Sequence, residues 1–429
     1  MTTLWCERAW LPDGVAAAVR IEADRGTITS VTKGAPRAGT VLNGLVVPGF
    51  ANCHSHAFHR ALRGRTHRDR GTFWTWRERM YALSERLDPD SYRRLARGVF
   101  AEMVLAGYTS VGEFHYLHHA PGGRPYADPN AMGHALAAAA ADAGIRLTLL
   151  DTCYVTAGSQ PQRRFSDGNA DAWAARVDSF APHGEHVRLG AAVHSVRAVP
   201  RTQLPVVAQW AGERPLHVHL SEQRAENTEC LKRYGRTPAT LLAEGGVLGE
   251  HSVAVHATHL TRDDTGLLAR MGTRVCFCPT TERDLGDGIG PARALAGAGA
   301  GLCLGSDSHA VIDPLEEARA LELDDRLAAE ARGRFTPAGL LAAATDHDAI
   351  GWGEAGALAP GAAADLVVIG LGSIRTAGVE PEGVLFAATA ADVTDVLVGG
   401  RWVVRDRTHQ LLEQPESLLA KEIEALWQS

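Results

Sequence analysis

Val46-Val47-Pro48-Gly49-Phe50-Ala51-Asn52-Cys53-His54-Ser55-His56-Ala57-Phe58-His59-Arg60 is a β-branched run that meets Pro-Gly and ends in His-x-His. Strand side chains repeat every two residues, so His54 and His56 leave the backbone on one side and can share a metal ion. Cys53 falls on the opposite face by the same alternation and is assigned to the core. Two imidazoles do not make a site in a chain with nineteen histidines; the remaining ligands must come from elsewhere.

Outward from this stretch the text alternates. Residues 3–48 read as short strands broken by Pro12-Asp13-Gly14 and Arg25-Gly26. From Tyr92 to Val104 apolar residues recur at three and four, after the helix start Asp88-Pro89-Asp90, and Tyr108 to Phe114 is a strand. The helix–strand unit repeats until Gly301 to Ser306, which with the strand ending at His54 makes eight strands. That count suggests a closed (β/α)8 TIM-like barrel of the α/β class. An open doubly wound sheet stays as the alternative, without the Gly-x-Gly-x-x-Gly of its nucleotide-binding form. After residue 357 strands return, with a hairpin at Gly399-Gly400. Both ends are therefore β-rich, and the expected division is a small β-sandwich domain from residues 1–49 and 358–429, with a C-terminal helix, around a barrel of residues 50–357.

The 429 residues are 45% apolar and 22% charged, as in soluble globular proteins. No apolar run reaches the roughly 18 to 20 residues that span a bilayer, and the N-terminus lacks a secretory pattern, so a cytoplasmic protein without membrane contact is expected. A net charge of −7 argues against nucleic acid as a partner. The seven cysteines are odd in number and scattered, so no disulfide framework or Cys-x-x-Cys zinc site is indicated.

Active-site groups of such barrels sit at the C-terminal ends of the strands. Those ends here carry His54 and His56, Glu113 and His115, His194, His219, His256 and Asp307. The register of so many metal-competent side chains is not explained by scattered structural histidines.

The sequence resembles the amidohydrolase superfamily in Pro48-Gly49 leading into His54-x-His56, His219-x-x-Glu222, His256 after a β-branched strand, Gly305-Ser306-Asp307, and Gly361 to Asp365. The resemblance implies that His54, His56, His219 and Asp307 hold one divalent metal, Zn²⁺ or as second choice Fe²⁺. Binuclear members carry a bridging lysine at the fourth strand, where this chain has His194 and no lysine nearby. It further implies Asp307 and His256 as acceptors of a water proton, and Glu222 as the donor of a proton to a leaving nitrogen. A narrower resemblance, to the formimidoylglutamate deiminases of histidine degradation, lies in Phe73 to Tyr81, Glu113 to His119 and His194 to Val199. It implies substrate contacts from Arg77, Tyr116, His194 and Arg197, and from His59, which departs from the usual glutamine. The implied substrate is N-formimino-L-glutamate, small and acidic, and the implied assembly a homodimer. Two arginines suit two carboxylates. The competing reading is a deaminase of a guanine-, cytosine- or adenosine-type base on the same metal site. A non-catalytic protein on this fold ranks below both, since no ligand is missing.

Overall fold

The computed structural model describes residues 1–67 and 71–428. Its centre is eight strands in sequence order: Phe50–Ser55, Tyr108–His115, Arg146–Cys153, Val187–Val193, Leu216–Leu220, Ser252–His256, Arg274–Phe277 and Leu302–Leu304. Every neighbouring pair is parallel. The last strand returns to the first. Ser306 and Asp307 N–H donate to the His54 carbonyl at 3.1 and 2.9 Å, and His56 N–H donates to the Asp307 carbonyl at 3.1 Å. The sheet closes there, and it is the barrel expected from the helix–strand repeat.

The helix read from Tyr92 to Val104 runs Pro89–Leu105. Its start is set by Asp88, whose carboxylate accepts from Ser91 N–H at 2.8 Å, and by Pro89 in the first turn, where no N–H is needed. Leu95, Ala96, Val99, Phe100, Met103 and Val104 are buried against the barrel, as their spacing requires. The helices Phe73–Ser84, Arg224–Tyr234 and Pro314–Ala329 are not evident from periodicity. In the last of these the buried face includes Glu317 and Glu322. Thr280 donates to Glu317 through N–H at 3.0 Å, and Phe335 N–H donates to Glu322 at 2.6 Å. Satisfied buried carboxylates hide an apolar stripe from a count of apolar residues.

Both termini build a second sheet of mixed direction. Thr2–Leu11, Gly14–Asp24, Thr27–Thr32 and Thr40–Pro48 join Leu366–Ile369, Val393–Val398, Arg401–Arg405 and Thr408–His409, with Leu366–Ile369 antiparallel to Leu45–Pro48. The eight strands are one continuous sheet rather than two separate ones. It curls on itself: Thr27 at one edge strand bridges Ala363, just before the strand four places away, and encloses Leu4, Ile21, Val46, Leu366 and Leu397. Among the described residues no helix is long and apolar enough to cross a membrane.

One expectation about the first barrel strand is corrected. Cys53 is buried, but it packs with Val253, Val255 and Cys276 of strands that are not its neighbours, which it can reach only across the barrel interior. The register against Tyr108–His115 slips between Asn52 and Ser55. This irregularity breaks the two-residue alternation, so Cys53 and His54 both face inwards. All seven cysteines are free and buried.

Closure of the barrel depends on a residue without a side chain. A Cβ on Gly305 would stand 2.8 Å from the Cβ, N and O of His54. Gly305→Ala is therefore expected to force the last strand off the first and lower stability by roughly 1–3 kcal/mol, the usual scale of overpacking. Urea unfolding of the two proteins measures this; equal midpoints and slopes would show that the seam tolerates the methyl.

Candidate metal centre and its cavity

His54, His56, His219 and Asp307 converge at the C-terminal end of the barrel, all buried, with ligand atoms grouped as for a metal ion. The Nε2 atoms of His54 and His219 are 3.1 Å apart, and those of His56 and His219 3.4 Å. Asp307 Oδ1 lies 3.3 Å from the Nε2 of both His54 and His56. Four ligands at about 2.0–2.1 Å from a tetrahedral zinc are separated by about 3.3–3.4 Å, so the spacing fits such an ion.

The tautomers agree with the spacing. His56 Nδ1–H donates to the Phe114 carbonyl at 2.9 Å, and His219 Nδ1–H donates to the His194 carbonyl at 3.0 Å. A carbonyl can only accept, so each Nε2 carries a lone pair, and the two lone pairs face each other across the cage. Burial holds His54 neutral, its pKa pushed down to about 3, and holds His219 well below the ordinary range. Burial alone would raise the Asp307 carboxyl, but the surrounding histidines overcome it and hold that carboxyl well below the usual range. Three neutral imidazoles and one carboxylate are the donor set of a borderline-soft divalent ion.

Among the described residues two other clusters have ligand-like spacing. His256, Cys278 and Asp307 form one; burial pushes the Cys278 thiol well above its ordinary pKa, and the ligating species is the thiolate. His115, His118 and Asp151 form the other, but both Asp151 oxygens are taken by Arg176, at 2.7 and 3.0 Å. Neither matches the first cage.

The cage opens into a cavity of about 250 Å³. His56, His219 and Asp307 form its floor together with His256 and Glu222, and His59, Arg77, Tyr116, His194 and Arg197 line its walls. His54 lies behind the floor. Every residue singled out from the sequence for metal, proton transfer or substrate is thus at this one place. Glu113 and His115, also noted at a strand end, are not in it. They flank Phe114, whose ring meets His54 and His219, and so point outwards. Burial raises the Glu113 carboxyl to about 8. It receives Ser55 Oγ–H at 2.5 Å and Ala57 N–H at 2.6 Å, bracing the turn that carries His56.

His256 stands among carboxylates. Burial disfavours its charge, but Glu282 at 3.3 Å, Glu222 at 4.0 Å and Asp307 at 3.8 Å prevail and push its pKa up to about 10. Its φ of +67°, with Ala257 at +48° and Asp307 at +41°, is a conformation that L residues rarely adopt and one concentrated at functional sites. His59 Nε2 and the Tyr116 hydroxyl are 2.8 Å apart. The two arginines differ. Arg197 is shared by Glu226 at 3.1 Å and Glu222 at 3.5 Å, whereas Arg77 rests on Trp74, 4.4 Å from the ring centroid, with no carboxylate partner among the described residues. Glu226 and Glu282 carry no motif-like signal; they lie five residues after Ser221 and four after Cys278, from whose N–H groups they accept. Tyr154 follows the strand Arg146–Cys153 and Gln162 lies in the short 3-10 helix Pro161–Phe165, neither marked by periodicity.

Residues 45–403 match the model of the amidohydrolase family. The chain belongs to that family. This amidohydrolase is 38% identical, over 95% of its length and 96% of the relative's, to a formimidoylglutamate deiminase of Pseudomonas aeruginosa. To an 8-oxoguanine deaminase of the same organism it is 29% identical over 84% of this chain and 82% of the relative. Its fold superposes on the crystal structure of an amidohydrolase from Brucella melitensis with a TM-score of 0.91 and 33% identity, covering 100% of both chains.

A cage of facing lone pairs should be relieved by a cation. Zn²⁺ added to metal-stripped protein is expected to stabilise it by about 2.7 kcal/mol at a hundredfold excess over Kd. His219→Ala should abolish that gain. Melting curves with and without metal report it, and an undiminished gain in the variant would place the ion elsewhere.

Proposed function

We propose that this amidohydrolase uses one divalent metal ion to hydrolyse N-formimino-L-glutamate to N-formyl-L-glutamate and ammonia, a step of histidine degradation. The observation that carries the reading is the meeting, in one cavity, of the four-donor cage and Arg77, a guanidinium with no carboxylate partner among the described residues. The near-full-length identity with a formimidoylglutamate deiminase supports it. Zinc is the favoured ion on its donor set, and one ion is favoured over two because His194 stands where a bridging lysine would be needed.

A divalent ion in the cage supplies Lewis acidity and acidifies a water at neutral pH. The chain's own residues do the rest. Asp307 divides its oxygens, Oδ1 towards the cage and Oδ2 towards His256, and so accepts a proton from the attacking water while His256 orients it. Attack at the formimino carbon turns C=N into a tetrahedral carbon bearing O and two N. Glu222, three residues after His219 and buried beside the cavity, delivers the proton with which the terminal nitrogen leaves as ammonia. Arg197 holds Glu222 towards the cavity and offers its remaining edge to a substrate carboxylate. Tyr116, His59 and His194 contact the amidine and the carboxylate next to it. Residues 50–357 form the catalytic barrel in this reading, and residues 1–49 with 358–429 the flanking sheet.

Ammonia release from N-formimino-L-glutamate, N-formimino-L-aspartate, guanine, cytosine and adenosine tests the assignment. The first should show the highest kcat/KM, and Glu222→Gln should retain metal while losing at least about 100-fold in kcat. A purine or pyrimidine turned over faster would make this a base deaminase, and near-normal turnover by Glu222→Gln would remove that residue from the chemistry.

A further inference from the structure

Gln162 lies on the cavity wall away from the cage, and its amide is oriented by its neighbours. Ser159 N–H, which can only donate, is 2.9 Å from Gln162 Oε1, and Ser159 Oγ–H donates to the same oxygen at 3.1 Å. The opposite end is therefore the NH2. Its two N–H groups reach the Tyr81 hydroxyl at 3.0 Å and the Tyr154 hydroxyl at 2.7 Å. Each phenol oxygen thus accepts from Gln162 and keeps its own proton to give. Among the described residues neither hydroxyl has an acceptor for that proton, and both residues line the cavity. Arg77 joins them, its guanidinium carbon 5.7 Å from the centroid of the Tyr81 ring. Tyr154 packs against His194 with ring centroids 4.6 Å apart, and His194 against the cage ligand His219 at 5.2 Å. Two O–H donors and a cation therefore gather two rings away from the metal centre, with no acceptor for them among the described residues.

We propose that Tyr81, Tyr154 and Arg77 form a subsite for the distal carboxylate of the substrate, and that Gln162 is the positioning residue that turns both phenol protons towards it. This rests on the N-formimino-L-glutamate reading, in which the amidine sits at the cage and the side-chain carboxylate extends away from it. The subsite offers donors only, so it selects a group that only accepts. A carboxylate meets that demand, whereas a base edge that mixes donors and acceptors does not.

The probes are N-formimino-L-glutamate and N-formimino-L-norvaline, whose side chain ends in a methyl instead of the carboxylate. In Tyr81→Phe and Tyr154→Phe the ratio of kcat/KM for the glutamate compound to that for the norvaline compound should fall about 10- to 100-fold, the scale of a hydrogen bond to a charged group. Gln162→Glu should lower the same ratio without touching either phenol, because a carboxylate there accepts the phenol protons and turns them from the cavity. A merely structural role would lower both substrates together and leave the ratio unchanged; that result overturns the subsite. A parent enzyme active on neither compound overturns the functional reading itself, and the subsite with it.

Discussion

The imidazole lone pairs of His56 and His219 and one carboxylate oxygen of Asp307 are aimed at a single buried point, where His54 Nε2 joins them. His56 and His219 have already given their only N–H groups to backbone carbonyls. Bringing four ligand atoms, three of them acceptors, to within 3.1–3.4 Å of one another is unfavourable by itself. The fold must hold them there until a cation compensates, and much of the surrounding architecture serves that end. The seam between first and last strands locks His54 to Asp307 through backbone hydrogen bonds, so two of the four donors are set by the same contacts that close the barrel.

The layer behind the donors is polar, and much of it is hydrogen-bonded. Asn52 Nδ2–H donates to Ser306 Oγ at 2.6 Å, and Asn52 Oδ1 accepts from Ser306 N–H at 3.0 Å, next to the carboxylate ligand. His309 lies 3.2 Å from Ser55 Oγ and 3.0 Å from Ser306 Oγ, tying the same two strands. Glu113 braces the turn into His56 from outside the barrel, and Glu226 holds Ser221 N–H at 2.8 Å while its other oxygen meets Arg197. Such contacts orient ligands and proton carriers, and their loss commonly weakens metal affinity or activity 10- to 100-fold. They also account for the positive φ values at Ser221, His256 and Asp307, where the backbone leaves its strand to aim a side chain.

The sequence makes the barrel and the cage legible for the same reason: each strand end is marked by a side chain that polar surfaces do not normally put in register. Elements with a clean period are read closely, as in the helix Pro89–Leu105, whose start signal and inward residues are those expected. Pro314–Ala329 is not, because Glu317 and Glu322 are buried and hydrogen-bonded on its inner face. Cys53 is misassigned in direction because alternation cannot foresee a register slip. Glu113 and His115 are misplaced because the residue between them, Phe114, takes the inward position. Arg197 reads as a free cation in the sequence, yet its pairing with Glu226 crosses two strand-end loops. The distal end of the cavity is the least legible part, since Tyr154, Ser159 and Gln162 meet through a connection and a short 3-10 turn that carry no periodic signal.

The central claim is that the ion is held by His54, His56, His219 and Asp307 and by nothing else in the chain. X-ray absorption spectroscopy of the zinc-loaded protein tests it most directly. The account predicts a single shell of nitrogen and oxygen at about 2.0–2.1 Å with the outer-shell signature of imidazole rings, and no heavier neighbour. A sulfur at about 2.3 Å, as Cys278 would supply, or a second metal at about 3.5–4 Å would contradict it.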